Sequence, residues 1–155
     1  MLNKFFATRD DVGLLVARLA LGIVILPHGL QKTLGLFGGA GFSGTMGFFT
    51  QQGLPSIIAF LVIIAESFGA LGLIIGFLSR LAAFGIGLNM LGAIFMVHLS
   101  NGFFMNWFVT EQNGLFVVTK AGEGFEYHLL ALGLGLVVLV GGGGKWSVDR
   151  LLVKD

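Results

Sequence analysis

No cysteine occurs in the 155 residues, so the chain carries no disulfide, no thiolate metal ligand and no thiol chemistry of its own. Any sulfur redox must take place on a partner. Charge is scarce too: Asp, Glu, Lys and Arg make up 11% of the chain, the net charge is +1, and the nine Lys and Arg are dispersed. That excludes the basic footprint of a nucleic-acid binder. Neither GxxxxGK[ST] nor GxGxxG occurs, so the glycine-rich stretch at residues 35–55 does not read as a phosphate cradle. The polar residues 1–11 lead into an apolar run that carries Arg18 and lacks a small-residue cleavage site, so a removed signal peptide is not expected.

Apolar residues are abundant, at 55% with a mean hydropathy of +0.94. This composition predicts an integral membrane protein, read as a single domain over residues 1–155. The 26 glycines run through the apolar segments and would let helix backbones approach closely. Four apolar segments, at about residues 12–34, 57–78, 81–99 and 125–140, predict an all-α, four-helix transmembrane bundle. Residues 35–55 read as a loop with a short interfacial helix near residues 45–51. Residues 100–124 show no sustained period; Phe103, Phe104, Trp107 and Phe108 suit either an interfacial aromatic belt or a lid over a lipid-soluble ligand.

Four crossings place both termini on one side. Lys4, Arg9, Arg80, Lys145, Arg150 and Lys154 then oppose Lys32 and Lys120, which predicts cytoplasmic termini in a bacterial inner membrane. His28, Lys32, His98, Glu126 and His128 fall towards the outer face.

Glu66 sits alone in the middle of the second segment, and insertion of a charge there costs roughly 2.5–3.5 kcal/mol. It therefore needs a partner inside the bundle. In the first segment Arg18, Gly22, Ile25, Gly29 and Lys32 share one narrow helical stripe, with His28 about 80° to one side and a kink expected at Pro27. A rise of 1.5 Å per residue places Arg18 at about 9 Å, Glu66 at about 16 Å and His28 at about 24 Å from the cytoplasmic side. Side chains lean towards their helix N-terminus, so His28 and Glu66 lean together, which ranks His28 above Arg18 as partner of Glu66. Glu66, His28 and Arg18 are the catalytic candidates; Arg18 and Glu66 read equally as a structural ion pair that fixes helix register or as a proton relay.

A quinone site would need an apolar slot with a few donors or proton carriers, for which His28, Gln31, Lys32 and Glu126 are suitable types. His28, His98, Glu126 and His128 are metal-ligand types, yet Glu126 and His128 lie about 200° apart on a regular helix, and Asn89 and His98 about 180°. No E-x-x-H pair of the di-iron kind occurs. No metal or haem is expected, His98 and His128 are assigned to polar packing, and His128 is expected to face away from the slot. Asn89 reads as an interhelical hydrogen bond, Ser147 and Asp149 as a cap, and Trp146 as an interface anchor.

In order, RLALGIVILPHGLQK, AESFGALGLIIG, HLSNGFF, GFEYHLL and GGGGKWSVD resemble the successive motifs of the DoxX family over nearly the whole chain. That family is similar in fold to small subunits of thiosulfate:quinone and terminal quinol oxidoreductases, and other members are associated with membrane complexes handling superoxide or thiol stress. The resemblance implies a membrane subunit of a quinone-linked oxidoreductase or redox-stress system, with quinone as cofactor and a redox protein as partner. The competing reading is a non-catalytic scaffold that docks a soluble redox partner. Transport is disfavoured by the lack of an inverted repeat. Homo-oligomerisation is left open.

Overall fold

The computed structural model describes residues 6–104, 109–118 and 122–153. Lys4, Trp107, Phe108, Lys120 and Lys154, used in the sequence reading, lie outside them. Three helices are long and apolar enough to cross a membrane: α1 at Val12–Leu34, α3 at Ser56–Ile75 and α4 at Ser79–Asn101. A shorter helix, α2 at Gly41–Gln51, lies between α1 and α3, and α5 at Glu126–Gly141 is apolar but only 16 residues long. A last helix, α6, spans Val148–Leu152. The chain is helical as expected, and the connection before α5 adds a short two-stranded antiparallel hairpin, β1 at Val109–Gln112 and β2 at Leu115–Val118. Asn113 and Gly114 join its strands, both with positive φ, as a turn of the hairpin-favouring kind requires.

α1 begins where the Asp11 side chain accepts hydrogen bonds from the Gly13 and Leu14 amides at 2.6 and 3.2 Å. It continues through Pro27 without interruption and stops at Gly35, whose φ of 71° turns the chain back. Arg18, Gly22, Ile25 and Gly29 of the expected stripe are all buried. α1 packs on α3 and α5, while α4 packs on α5 and on the middle of α3. The core between them is built from short or branched side chains, among them Leu21, Ile25, Ala70, Ala83, Ile86 and Val138. Val16, Phe68, Phe84, Leu88, Phe95 and Leu130 point outward and are exposed. This inside-out distribution suits a hydrocarbon solvent.

Two π-helical turns interrupt the regular period, one at Ala65–Gly69 in α3 and one at Ile94–His98 in α4. Each adds a residue to a turn and rotates the remainder of its helix, and such bulges are frequent at functional sites. Beside the first of them, Asn89 donates to the Val62 carbonyl at 2.9 Å. Asn89→Ala is expected to cost about 0.6–2 kcal/mol, read as a lower melting temperature in detergent with unchanged membrane insertion.

Arg18 organises the end of the molecule where α1 begins and α5 ends. Its guanidinium donates to the carbonyls of Gly143 and Leu73 at 2.7 Å, Ile74 at 2.6 Å, Lys145 at 3.3 Å and Trp146 at 3.2 Å. Asp149 completes this end by accepting from the Leu78 and Ser79 amides at 2.7 and 2.8 Å, which caps α4. Ser147 accepts from the Arg150 amide at 3.3 Å and caps α6. Arg150 also pairs with exposed Asp10, and that hydrogen bond holds the Asp10 carboxyl below the usual carboxylate range. Arg18, a catalytic candidate by sequence, is 2% exposed, and its guanidinium donates to backbone carbonyls.

Candidate functional site

At the opposite end, α1, α3, α4 and α5 enclose a cavity of about 470 Å3. Ile25, Met90 and Ala93 form its apolar wall. His28 and Lys32 enter from α1, Glu66 from the π-turn of α3, His98 from the π-turn of α4, and Tyr127 and His128 from the first turn of α5. Glu123 and Gly124 close the rim.

The partner of Glu66 is Lys32, with Nζ 2.5 Å from Oε2, and neither His28 nor Arg18. Two physical reasons account for the correction. Arg18 is consumed at the far end of the helix, and Lys32 has a long stem that leans back along α1 towards the bundle centre. The close approach of α1 and α3 brings the two charges together. Gly29 packs against the backbone of Glu66 and Ser67, and Ser67 Oγ donates to the Gly29 carbonyl at 3.1 Å. Removing one partner of the pair strands the other in a partly apolar site. Glu66→Gln and Lys32→Met are each expected to cost about 1–3 kcal/mol, with the double variant recovering part of the sum. Thermal unfolding of the four proteins in detergent measures that coupling; strict additivity would mean that the pair does not interact.

Two other expectations are revised. Gln31 donates to the Phe37 carbonyl at 3.2 Å and so braces the loop after α1 instead of lining the cavity. On α5 it is His128, not Glu126, that lines the cavity, in company with Tyr127. The roughly 200° between Glu126 and His128 did allow only one to face inward. His128 is 7% exposed and its Nδ1 is buried without a hydrogen-bond partner among the described residues, as is Tyr127 Oη. His98, assigned by sequence to polar packing, stacks close to His128 with ring centroids 4.2 Å apart. Tyr127 lies 5.3 Å from His128 and 6.5 Å from His28, centroid to centroid, so the four rings form a continuous row.

Among the described residues no group of three or more His, Asp or Glu side chains is arranged to hold a metal ion. The cavity brings hydrogen-bonding and proton-exchanging groups together around an apolar slot. Of the aromatics expected near the interface, Phe103 and Phe104 are 44% and 70% exposed and pack edge to face. The loop that bears them is fastened to the start of α5: the Gly124, Phe125 and Glu126 amides donate to the carbonyls of Phe104, Gly102 and Phe103 at 3.0–3.2 Å. A larger groove of about 670 Å3 runs between α3 and α4 on the outward side, lined by Phe68, Phe84 and Leu88. Its one polar side chain among the described residues is Asn89, already bonded to Val62.

Residues 13–99 match the family model described as DoxX. An Escherichia coli (strain K12) protein named Inner membrane protein YqjF is 34% identical over 146 residues, covering 94% of this chain and 95% of that protein. A Bacillus subtilis (strain 168) protein named Putative oxidoreductase CatD is 32% identical over 105 residues, or 68% of this chain and 71% of that one. No solved structure matches the chain. Family model, relatives and apolar helices agree: the chain belongs to the DoxX family and is a multi-pass protein of the inner membrane.

Proposed function

We propose that the protein is the membrane subunit of a quinone-linked oxidoreductase or redox-stress system, and that the cavity at the outer ends of α1 and α4 receives a quinone headgroup. The observation that carries this reading is the coexistence, in one slot of about 470 Å3, of an apolar wall with His28, the Lys32–Glu66 pair, His98, Tyr127 and His128. Ligand sites of this size are mostly apolar with a few convergent polar groups. The fit is supported by Tyr127 Oη and His128 Nδ1, buried polar atoms without a partner among the described residues. When bound, a quinone would supply two-electron, two-proton redox chemistry. The residues of this chain would orient its ring, exclude water with Ile25, Met90 and Ala93, and hold or pass protons at the imidazoles and at Glu66. With no cysteine in the chain, thiol electron transfer would belong to a redox partner. The name of the Bacillus subtilis relative points to the same class of chemistry.

In this reading α5 crosses as well, completing a four-helix transmembrane bundle with cytoplasmic termini. At about 24 Å α5 is short for a hydrocarbon core of roughly 30 Å, and bilayer thinning would accommodate it. Reporter fusions test the arrangement: a periplasm-active reporter should work within residues 35–53 and fail after residue 155, and the reverse would overturn it. The quinone reading is tested by extracting the purified protein with organic solvent and by dialysis against duroquinone. Bound native quinone, or saturable duroquinone binding that His28→Ala weakens about tenfold, is expected. Lack of both would favour the scaffold reading.

A further inference from the structure

We propose that the cavity holds the hydroquinone in preference to the quinone, with His98 Nε2 accepting a hydrogen bond from one ring hydroxyl. This rests on the quinone reading above and adds the redox form that the site selects.

The inference starts from the tautomer of His98. Its Nδ1 lies 2.7 Å from the Glu123 carbonyl oxygen, an atom that can only accept. Nδ1 must therefore carry the proton. In the neutral ring that leaves Nε2 with a lone pair and no hydrogen. The tautomer is held from outside the ring as well, because Asn101 Nδ2 donates to the same Glu123 carbonyl at 3.1 Å and fixes the loop on which it sits. The π-turn at Ile94–His98 places this ring on the cavity wall.

An oxidised quinone has two carbonyl oxygens that accept hydrogen bonds and donate none. Against a bare Nε2, one of them meets a second lone pair. A hydroquinone has a hydroxyl at each of those positions and can donate to Nε2. At the inner end of the same cavity Glu66 uses Oε2 for Lys32, which leaves its second oxygen as an acceptor for the other hydroxyl. Lys32 and Tyr127 can donate to either redox form, so they add affinity without discriminating. The discrimination comes from the His98 end.

The experiment compares duroquinol, kept reduced under anaerobic conditions, with duroquinone as ligands of the purified full-length protein, read by equilibrium dialysis. Duroquinol is expected to bind about tenfold more tightly, the factor that one hydrogen bond gained against one lone-pair contact avoided supplies. His98→Phe keeps the ring and should reduce that ratio to near one, weakening duroquinol by loss of the acceptor and relieving duroquinone of the lone-pair contact. His98→Lys replaces the acceptor with a donor and should favour duroquinone. A readout that needs no variant is the nitrogen NMR of the wild-type imidazole, which should show a protonated Nδ1 and an unprotonated Nε2. Equal binding of the two forms, tighter binding of duroquinone, or an unchanged ratio in His98→Phe would overturn the preference while leaving the quinone site standing. If neither form binds, the site itself is refuted.

Discussion

Arg18→Ala should lower the stability of the purified protein by about 3–5 kcal/mol, and Arg18→Lys by about 1–3 kcal/mol, with the cavity at the opposite end chemically intact in both. The five carbonyls that Arg18 serves belong to two distant parts of the chain, Leu73 and Ile74 at the end of α3 and Gly143, Lys145 and Trp146 in the terminal strap. A guanidinium presents five N–H groups in a planar fork; an ammonium presents three that are not planar. Lysine therefore leaves at least two of these carbonyls without their donor. The positive charge also lies against the carbonyl end of α3, where the helix dipole favours it. Melting in detergent, followed by Trp146 fluorescence, measures the loss, and Arg18→Lys within about 0.5 kcal/mol of wild type would show that charge alone suffices there.

Gly29→Ala is expected to be nearly as costly and, unlike the change at Arg18, to damage the cavity. A Cβ at that position would fall 2.4 Å from the Glu66 carbonyl oxygen and 2.6 Å from Ser67 Cα. Both are backbone atoms, so the helices themselves must separate. That separation would lengthen the Ser67 to Gly29 hydrogen bond and pull Lys32 from Glu66, for a total of about 2–4 kcal/mol. Gly92→Ala in α4 is the control. A Cβ there meets nothing within 4 Å, and alanine is the better helix former. Equal melting temperatures for Gly29→Ala and Gly92→Ala would mean that α1 and α3 are not in backbone contact.

Hydropathy locates the three long helices: residues 12–34 coincide with α1, 57–78 overlap α3, and 81–99 fall inside α4. The α1 stripe is likewise readable, since a regular helix keeps its phase from Arg18 to Gly29. Phase puts Lys32 on the stripe and His28 beside it. Depth alone argues for His28, because it compares Cα positions and ignores the reach of a lysine stem. The cavity is harder to foresee because both π-turns reset the angular register where Glu66 and His98 sit, and a 100° step carries no information about an added residue. The hairpin leaves a sequence mark in Asn113-Gly114, obscured by the surrounding aromatics and amides. Glu126 and His128 are correctly separated by angle, but the angle says only that one faces inward. Which one does is decided by the start of α5, fixed by the hydrogen bonds tying residues 124–126 to 102–104.

A photoreactive benzoquinone analogue bears most directly on the functional reading. After illumination of the protein in membranes and proteolysis, mass spectrometry should place the cross-links on the cavity wall, at Met90, Tyr127 or His98, and excess duroquinone should suppress them. Cross-links confined to Phe68, Phe84 and Leu88 in the lipid-facing groove between α3 and α4, and indifferent to duroquinone, would contradict it.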